Sequence, residues 1–230
     1  MAKSLPPNLY DCLEYPKTCA PDDFLRQVRR TINGKPISST QLDLIHFMIR
    51  ESLKLKRNDI LFDLCCGNGF LSSAFFDEIL GYQGVDLSPY LIEVANKNFK
   101  REPTHTFRCQ DALSYCREAP QTNNFTVGLW YGAFAYFSHE DAFEILHILY
   151  NKFKRMESIF IGPIPDRSRL INFTSDKNFP TDDPTSSIGL WYTQKYFITL
   201  ASRAGWKVDL PQLPDQFYQA HYRFNALLRR

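Results

Sequence analysis

The chain has 230 residues, a length that suits one compact α/β domain with an attached cap and excludes two independent catalytic domains. At 44% hydrophobic and 23% charged it is neither disordered nor fibrous, and it can bury a sizeable core. A net charge of +2 disfavours a nucleic-acid partner or an anionic membrane surface, because no strong field of one sign draws either.

The start is rich in proline (Pro6, Pro7, Pro16, Pro21), after which Asp22 is placed to cap a short helix to about Thr31. Asn33-Gly34-Lys35-Pro36 reads as a turn, so residues 1–38 form an extension rather than a domain. Ser38 and Ser39 offer N-caps for a helix whose Leu42, Ile45, Phe47, Met48, Ile49 and Leu53 give an apolar stripe. From Asp59 onward, apolar runs at 60–64, 82–85, 106–109, 125–130 and 158–162 alternate with helical stretches near 70–80, 88–100, 112–118 and 139–155. That alternation predicts five parallel strands with helical crossovers. Residues 163–190 hold four prolines and little periodicity, so they read as a long connection of the kind that forms lids. A helix near 193–204 ends at Gly205, and runs at 206–210 and 218–228 predict an antiparallel pair at the sheet edge.

No apolar run approaches the about 18 residues of a membrane span. The first thirty residues carry Asp11, Glu14, Asp22 and Asp23 and no continuous apolar core of a secretory signal, so a cytoplasmic location is expected. Cys12, Cys19, Cys65, Cys66, Cys109 and Cys116 contain no C-x-x-C, and no histidine cluster has metal-ligand spacing. Reduced thiols and no metal site are expected. Aromatic residues make up 15% of the chain, which serves core packing first and flat pocket walls second.

The most informative string is Asp63-Leu64-Cys65-Cys66-Gly67-Asn68-Gly69, at the end of a predicted strand and just before a helix. Glycines there let the backbone approach a ligand, and the helix start presents free N–H groups. Twenty-three residues after Asp63, Asp86 ends the next strand in Gly84-Val85-Asp86-Leu87-Ser88, where an acid takes the two hydroxyls of a ribose. A nucleoside-containing cofactor follows. A nicotinamide dinucleotide would want a third glycine where Ser72 stands, and the Asp63 carboxylate would repel its pyrophosphate by roughly 1 kcal/mol or more. S-adenosylmethionine has no phosphate, and its ammonium and sulfonium charges favour an acid.

On these strings the chain resembles the class I S-adenosylmethionine-dependent methyltransferases over roughly residues 39–230. Phe62 to Gly69 matches the first motif of that family and Gly84 to Ser88 the second. Arg108-Cys109-Gln110-Asp111-Ala112-Leu113 matches a third, and Phe125 to Tyr131 followed by Gly132 to Phe137 matches the fourth strand and the wall beside the methyl group. The resemblance implies a Rossmann-like, doubly wound, seven-stranded and mostly parallel α/β sheet with an antiparallel last strand. It also implies S-adenosylmethionine as cofactor, held by Asp63, Leu64, Cys65, Gly67, Asn68, Gly69, Asp86, Leu87, Asp111, Ala112, Trp130 and Tyr131, with Asp111 at the adenine amino group. Cys65 departs from the family pattern, which has glycine at that position. A thiol nucleophile at Cys65 or Cys66 is disfavoured because nothing nearby in sequence activates it.

The resemblance further implies methyl transfer by in-line displacement. Enzymes of this fold that methylate amino groups of DNA or glutamine carry Asn/Asp-Pro-Pro-Tyr/Phe after the fourth strand, whereas Leu129-Trp130-Tyr131-Gly132 stands here. A small-molecule acceptor is therefore expected, methylated on oxygen or, second, on nitrogen. The segments Gly189-Leu190-Trp191-Tyr192-Thr193 and Ala220-His221-Tyr222-Arg223-Phe224 resemble stand-alone bacterial methyltransferases of sugar, polysaccharide or secondary-metabolite synthesis. Candidate bases are Asp166, His139 and His221. Against them, His139 fits the first turn of a helix capped by Ser138, His221 fits a sheet edge and Asp166 fits a turn. Tyr131, Tyr136, Trp191 and Tyr192 are candidate walls of the acceptor pocket, under a lid formed by 163–192. The rivals are a non-catalytic scaffold that keeps the fold and, disfavoured by Asp63 and Ser72, a nicotinamide-dependent reductase; the oligomeric state stays open.

Overall fold

The computed structural model describes residues 6–230. The described residues open with α1 (Pro7–Leu13), a 3-10 turn, α2 (Phe24–Gln27) and a small hairpin of β1 (Thr31–Ile32) and β2 (Lys35–Pro36). The hairpin turns at Asn33-Gly34, both at positive φ (49° and 74°), the conformation that an Asn-Gly pair adopts at little cost. Helix α2 is shorter than the sequence reading and is capped one residue later, by the Asp23 carboxylate accepting from Arg26 N–H. It cannot run on to Thr31 because Arg29 takes a left-handed φ of 53°.

Helix α3 (Ser39–Leu53) starts where expected, with the Ser38 hydroxyl accepting from Gln41 N–H, and stops at left-handed Lys54. Its Ile45, Met48, Ile49 and Leu53 are buried, whereas Phe47 lies off that stripe and is exposed. The main sheet has seven strands, β3 (Ile60–Leu64), β4 (Gly81–Asp86), β5 (His105–Cys109), β6 (Val127–Tyr131), β7 (Ser158–Pro165), β8 (Lys207–Asp209) and β9 (Arg223–Arg229). Their order is β5-β4-β3-β6-β7-β9-β8, with β3 to β7 parallel and β9 antiparallel to both β7 and β8. This is the Rossmann-like methyltransferase architecture that the sequence implied.

Between strands lie α4 (Phe70–Ser73), α5 (Pro89–Asn98), α6 (Ala112–Glu118), α7 (His139–Lys152), α8 (Leu170–Phe173) and α9 (Gln194–Arg203). The helix expected over 70–80 contracts to α4, and successive tight turns carry Phe75, Phe76 and Ile79 into the core instead. Alternation along the strands divides the core in two. Phe62, Trp130, Ile159 and Ile161 face Ile145, Leu146 and Leu149 of α7, while Leu61, Leu129, Tyr131, Phe160 and Leu227 share the other face with α3. Each fully buried side chain of this kind contributes about 1.5–3 kcal/mol.

The chain leaves β3 outward to β4 and β5, then returns to β6 on the opposite side of β3. The carboxyl ends of β3 and β6 thus flank a topological switch point, where open α/β sheets bind ligands. Segment 163–192 is stitched to the body by Leu190 N–H donating to Ala135 O, and a bridge between Asp166 and Tyr192 joins its two ends. Among the described residues, no helix is long and apolar enough to cross a membrane.

Candidate functional site

A cavity of about 510 Å³ opens at that switch point. Its floor comes from the strand ends (Asp63, Cys65, Cys66, Gly67 and Asn68 after β3, Asp86 and Leu87 after β4, Asp111 to Leu113 after β5, Tyr131 to Ala133 after β6). Its cover comes from Asn8, Leu9, Asp11 and Cys12 of α1 and from Gln27, Val28, Arg29 and Arg30.

Two buried carboxylates organise the floor. Asp86 accepts from Gly67 N–H (2.8 Å) and Ser88 N–H (2.9 Å), which ties the glycine-rich turn to the end of β4. Burial raises its pKa, and these two N–H donors oppose the rise. Asp63 accepts from Ser72 Oγ (2.5 Å) and Tyr82 Oη (2.8 Å), so the serine at the third-glycine position clamps the strand-end acid. Burial pushes the Asp63 pKa up to about 7, against the lowering effect of both hydroxyls. Asp111 caps α6 by accepting from Ser114 N–H.

Cys65 adopts a left-handed φ of 59°, the conformation for which the family uses glycine, at a cost of roughly 1–2 kcal/mol. Burial holds both the Cys65 and Cys66 thiols well above their usual pKa, so neither is a poised nucleophile. Gly67 shares that left-handed φ of 59°, and a Cβ there would lie 2.9 Å from Val28 Cγ1, so a side chain would add strain and press on the N-terminal cover. Asn68 lines the cavity, yet its amide donates to Phe24 O (2.9 Å) and Gln27 Oε1 (2.8 Å). It fastens the N-terminal segment over the turn.

The expected binding residues divide. Asp63, Cys65, Gly67, Asn68, Asp86, Leu87, Asp111, Ala112 and Tyr131 line the cavity, whereas Leu64, Gly69 and Trp130 do not. Leu64 and Trp130 point to the α7 face, where Trp130 packs on Phe134 and Phe137. Gly69 starts α4 at a φ of 75°, where a Cβ would meet the Phe107 ring.

The three candidate bases lie outside the cavity lining. Asp166 is fully buried and accepts from Ser168 N–H and Oγ and from Gln194 Nε2, with Arg169 3.5 Å away, so it holds the turn after β7. His139 sits in the first turn of α7 behind the Ser138 cap and packs on the Tyr192 and Tyr196 rings. His221 is exposed beside Tyr222. Of the expected aromatic walls, Tyr131 and Tyr136 line the cavity, while Trp191 and Tyr192 are buried elsewhere. No residue of 163–192 reaches the lining, so the cover is N-terminal rather than a lid from that segment. Sequence reading missed Arg29 and Arg30, which follow a helix of four residues and belong to no motif.

Residues 61–155 match a family model described as a methyltransferase domain. That stretch covers the strands and turns of the cavity floor, and the seven-stranded sheet around it has the class I methyltransferase fold. No curated protein matches the chain. Among solved structures, the chain is similar to a Haloferax volcanii putative methyltransferase in complex with the Trm112 activator, at 12% identity and a TM-score of 0.62, covering 83% of this chain and 90% of that one. It is also similar to an S-adenosylmethionine-dependent methyltransferase from Clostridium acetobutylicum (14% identity, TM-score 0.61, 84% and 92% covered). Magnesium protoporphyrin IX methyltransferase from Synechocystis with bound S-adenosylmethionine aligns over 97% of this chain and 94% of its own, at 13% identity and a TM-score of 0.59. At these identities the likeness is one of fold.

S-adenosylmethionine is the cofactor that the sequence motifs imply, and the residues present fit it. Asp63, Asp86 and Asp111 bring three carboxylates to successive strand ends, which suits a ligand with two cationic centres and two ribose hydroxyls. Leu87, Leu91, Ala112 and Leu113 supply apolar wall for a flat base. A pyrophosphate would meet the same carboxylates as repulsion.

Proposed function

We propose that the methyltransferase methylates an oxygen, or second a nitrogen, of a small molecule such as a sugar or secondary metabolite. The carrying observation is the continuity of one covered cavity from the acids at Asp86 and Asp111 to the aromatic wall at Tyr131, Tyr136 and Phe137. Its volume of about 510 Å³ lies in the range of small-molecule sites, which favours a small acceptor over a polymer. The net charge of +2 supplies no strong field toward nucleic acid, which disfavours such an acceptor.

S-adenosylmethionine supplies an electrophilic methyl group on a sulfonium. The acceptor lone pair attacks that carbon in line, the carbon–sulfur bonding pair leaves on sulfur, and the acceptor proton is lost. The protein's part is chiefly positioning. Asp86 fixes the Gly67 amide and faces the cavity, the α1 segment excludes water, and Tyr131 and Tyr136 bound the acceptor end. Burial pushes the Tyr131 hydroxyl pKa up, so at neutral pH it donates a hydrogen bond rather than acting as a base.

Calorimetric titration with S-adenosylhomocysteine, with a nicotinamide dinucleotide as control, tests the cofactor half. Micromolar binding of the former alone supports the reading; preference for the dinucleotide would sink it. Binding of neither leaves the scaffold alternative. Methyl uptake by sugars and phenols, followed with labelled cofactor, then tests the acceptor class.

A further inference from the structure

Helix α1 is the least anchored part of the cavity wall. It is seven residues long, has no side-chain cap and buries none of its side chains, yet Asn8, Leu9, Asp11 and Cys12 line the cavity from it. A helix of that length is unstable by itself in water, so its contacts hold it in place. Asp11 is bound by Arg29 at 2.6 Å, a partly exposed ion pair internal to the N-terminal segment. Among the described residues, the one backbone hydrogen bond from α1 to the chain beyond that segment runs from Asn8 N–H to Thr185 O (3.2 Å).

Thr185 belongs to a turn that is itself firmly built. The Asp183 carboxylate accepts from Thr185 N–H (2.8 Å) and Oγ (2.7 Å), and Ser186 Oγ accepts from Gly189 N–H (2.9 Å). Leu190 N–H donates to Ala135 O (2.7 Å), and Gly189 lies so close that a Cβ would come within 2.4 Å of the same carbonyl. Two residues beyond Thr185, Ser187 O accepts from the Tyr136 hydroxyl (2.9 Å). Two carbonyls of one turn thus hold two walls of the cavity, α1 and Tyr136, although no residue of the turn lines it.

Resting on the methyltransferase reading above, we propose that residues 183–190 latch the cavity: α1 is the flap past which ligand enters and leaves, and the bonds from Asn8 and Tyr136 to this turn hold it shut. Ligand lying between the floor and α1 waits for the Asn8–Thr185 bond to open, so the latch governs exchange while touching no ligand itself. That division has a kinetic signature. Loosening a latch speeds entry and exit alike and leaves affinity unchanged, whereas loss of a ligand contact speeds exit alone.

The test uses Asp183→Ala, which frees the turn from outside the cavity, and Tyr136→Phe, which keeps the ring and removes its bond to Ser187 O. Association and dissociation rates of S-adenosylhomocysteine on the full chain are measured by surface plasmon resonance, and hydrogen exchange of the α1 amides in the ligand-free chain by mass spectrometry. Both variants are expected to raise both rates about two- to tenfold, the worth of one neutral hydrogen bond, with Kd within twofold, and to speed α1 exchange by a similar factor. Unchanged rates and exchange, even at a lowered Tm, would overturn the latch, as would a rise in dissociation alone. Failure of the wild-type chain to bind S-adenosylhomocysteine would instead remove the methyltransferase reading. Exchange at α1 would still decide the latch, faster exchange in Asp183→Ala supporting it and unchanged exchange overturning it.

Discussion

Replacing Asp86 by asparagine keeps the shape of the side chain and removes one of its two acceptors. In the native fold both oxygens are engaged, one by Gly67 N–H at 2.8 Å and one by Ser88 N–H at 2.9 Å. The amide of asparagine can serve one of these donors, so the other faces an NH2 group in a buried setting. An unsatisfied buried N–H costs about 1–3 kcal/mol, and the remaining bond loses its charge assistance, about 1 kcal/mol more. Against this, the neutral side chain escapes the burial cost that raises the Asp86 pKa. A net loss of about 2 kcal/mol follows, or about 4–8 °C in Tm for a chain of this size. The ribose also loses an anionic acceptor, about 1.5–3 kcal/mol, or a ten- to hundredfold weaker affinity for S-adenosylhomocysteine. Urea unfolding and calorimetric titration measure the two effects separately. An Asp86→Asn chain with unchanged midpoint and affinity within twofold would refute both the turn anchor and the ribose role.

Three further outcomes are expected. Asp63 has a folded pKa of about 7, above its unfolded value, so it favours the native state fully below about pH 4 and loses that contribution as pH rises to 7. His46 and His105 have lowered pKa values and act in the opposite direction below about 6.5, so the difference between wild type and Asp63→Asn isolates the effect. Urea titrations at several pH values should show that difference shrinking from pH 4 to 7; a difference independent of pH would contradict it. Asn68→Ala removes the bonds to Phe24 O and Gln27 Oε1, about 1–3 kcal/mol of attachment, and should expose the segment before α3 to limited proteolysis. Cleavage there at the wild-type rate would count against the tether. Asp166→Asn should lower stability by about 1–3 kcal/mol while S-adenosylhomocysteine affinity and turnover stay within twofold, because its partners are Ser168 and Gln194 rather than ligand. A large drop in turnover at unchanged stability would restore it as a base.

Much of the frame was legible because its causes are local. The five parallel strands announce themselves as short apolar runs, and the caps at Ser38, Ser88 and Ser138 are side chains that bond a backbone N–H three residues on. The glycine-rich turn and Asp86 were readable because a close backbone approach and a ribose-binding acid leave few choices of residue. The helix over 70–80 was misjudged because Phe75, Phe76 and Ile79 satisfy the core better from tight turns than from one helical face. Trp130 and Tyr131 are neighbours in sequence, yet strand alternation sends one to the α7 core and the other to the cavity.

Composition and motif order determined the fold class, the switch-point cavity and its cofactor, since these depend on periodicity and on residue types at fixed spacings. Only the tertiary structure decided what covers the cavity, which carboxylates face it and which are spent on turns. Those outcomes rest on contacts between segments far apart in the chain, such as Asn68 Nδ2 with the Phe24 carbonyl, a backbone group that every residue type carries alike. A carboxylate such as Asp166 reads the same in sequence whether it meets a ligand or three protein donors. Burial and hydrogen-bond partners make that distinction, and both arise only when the chain is folded.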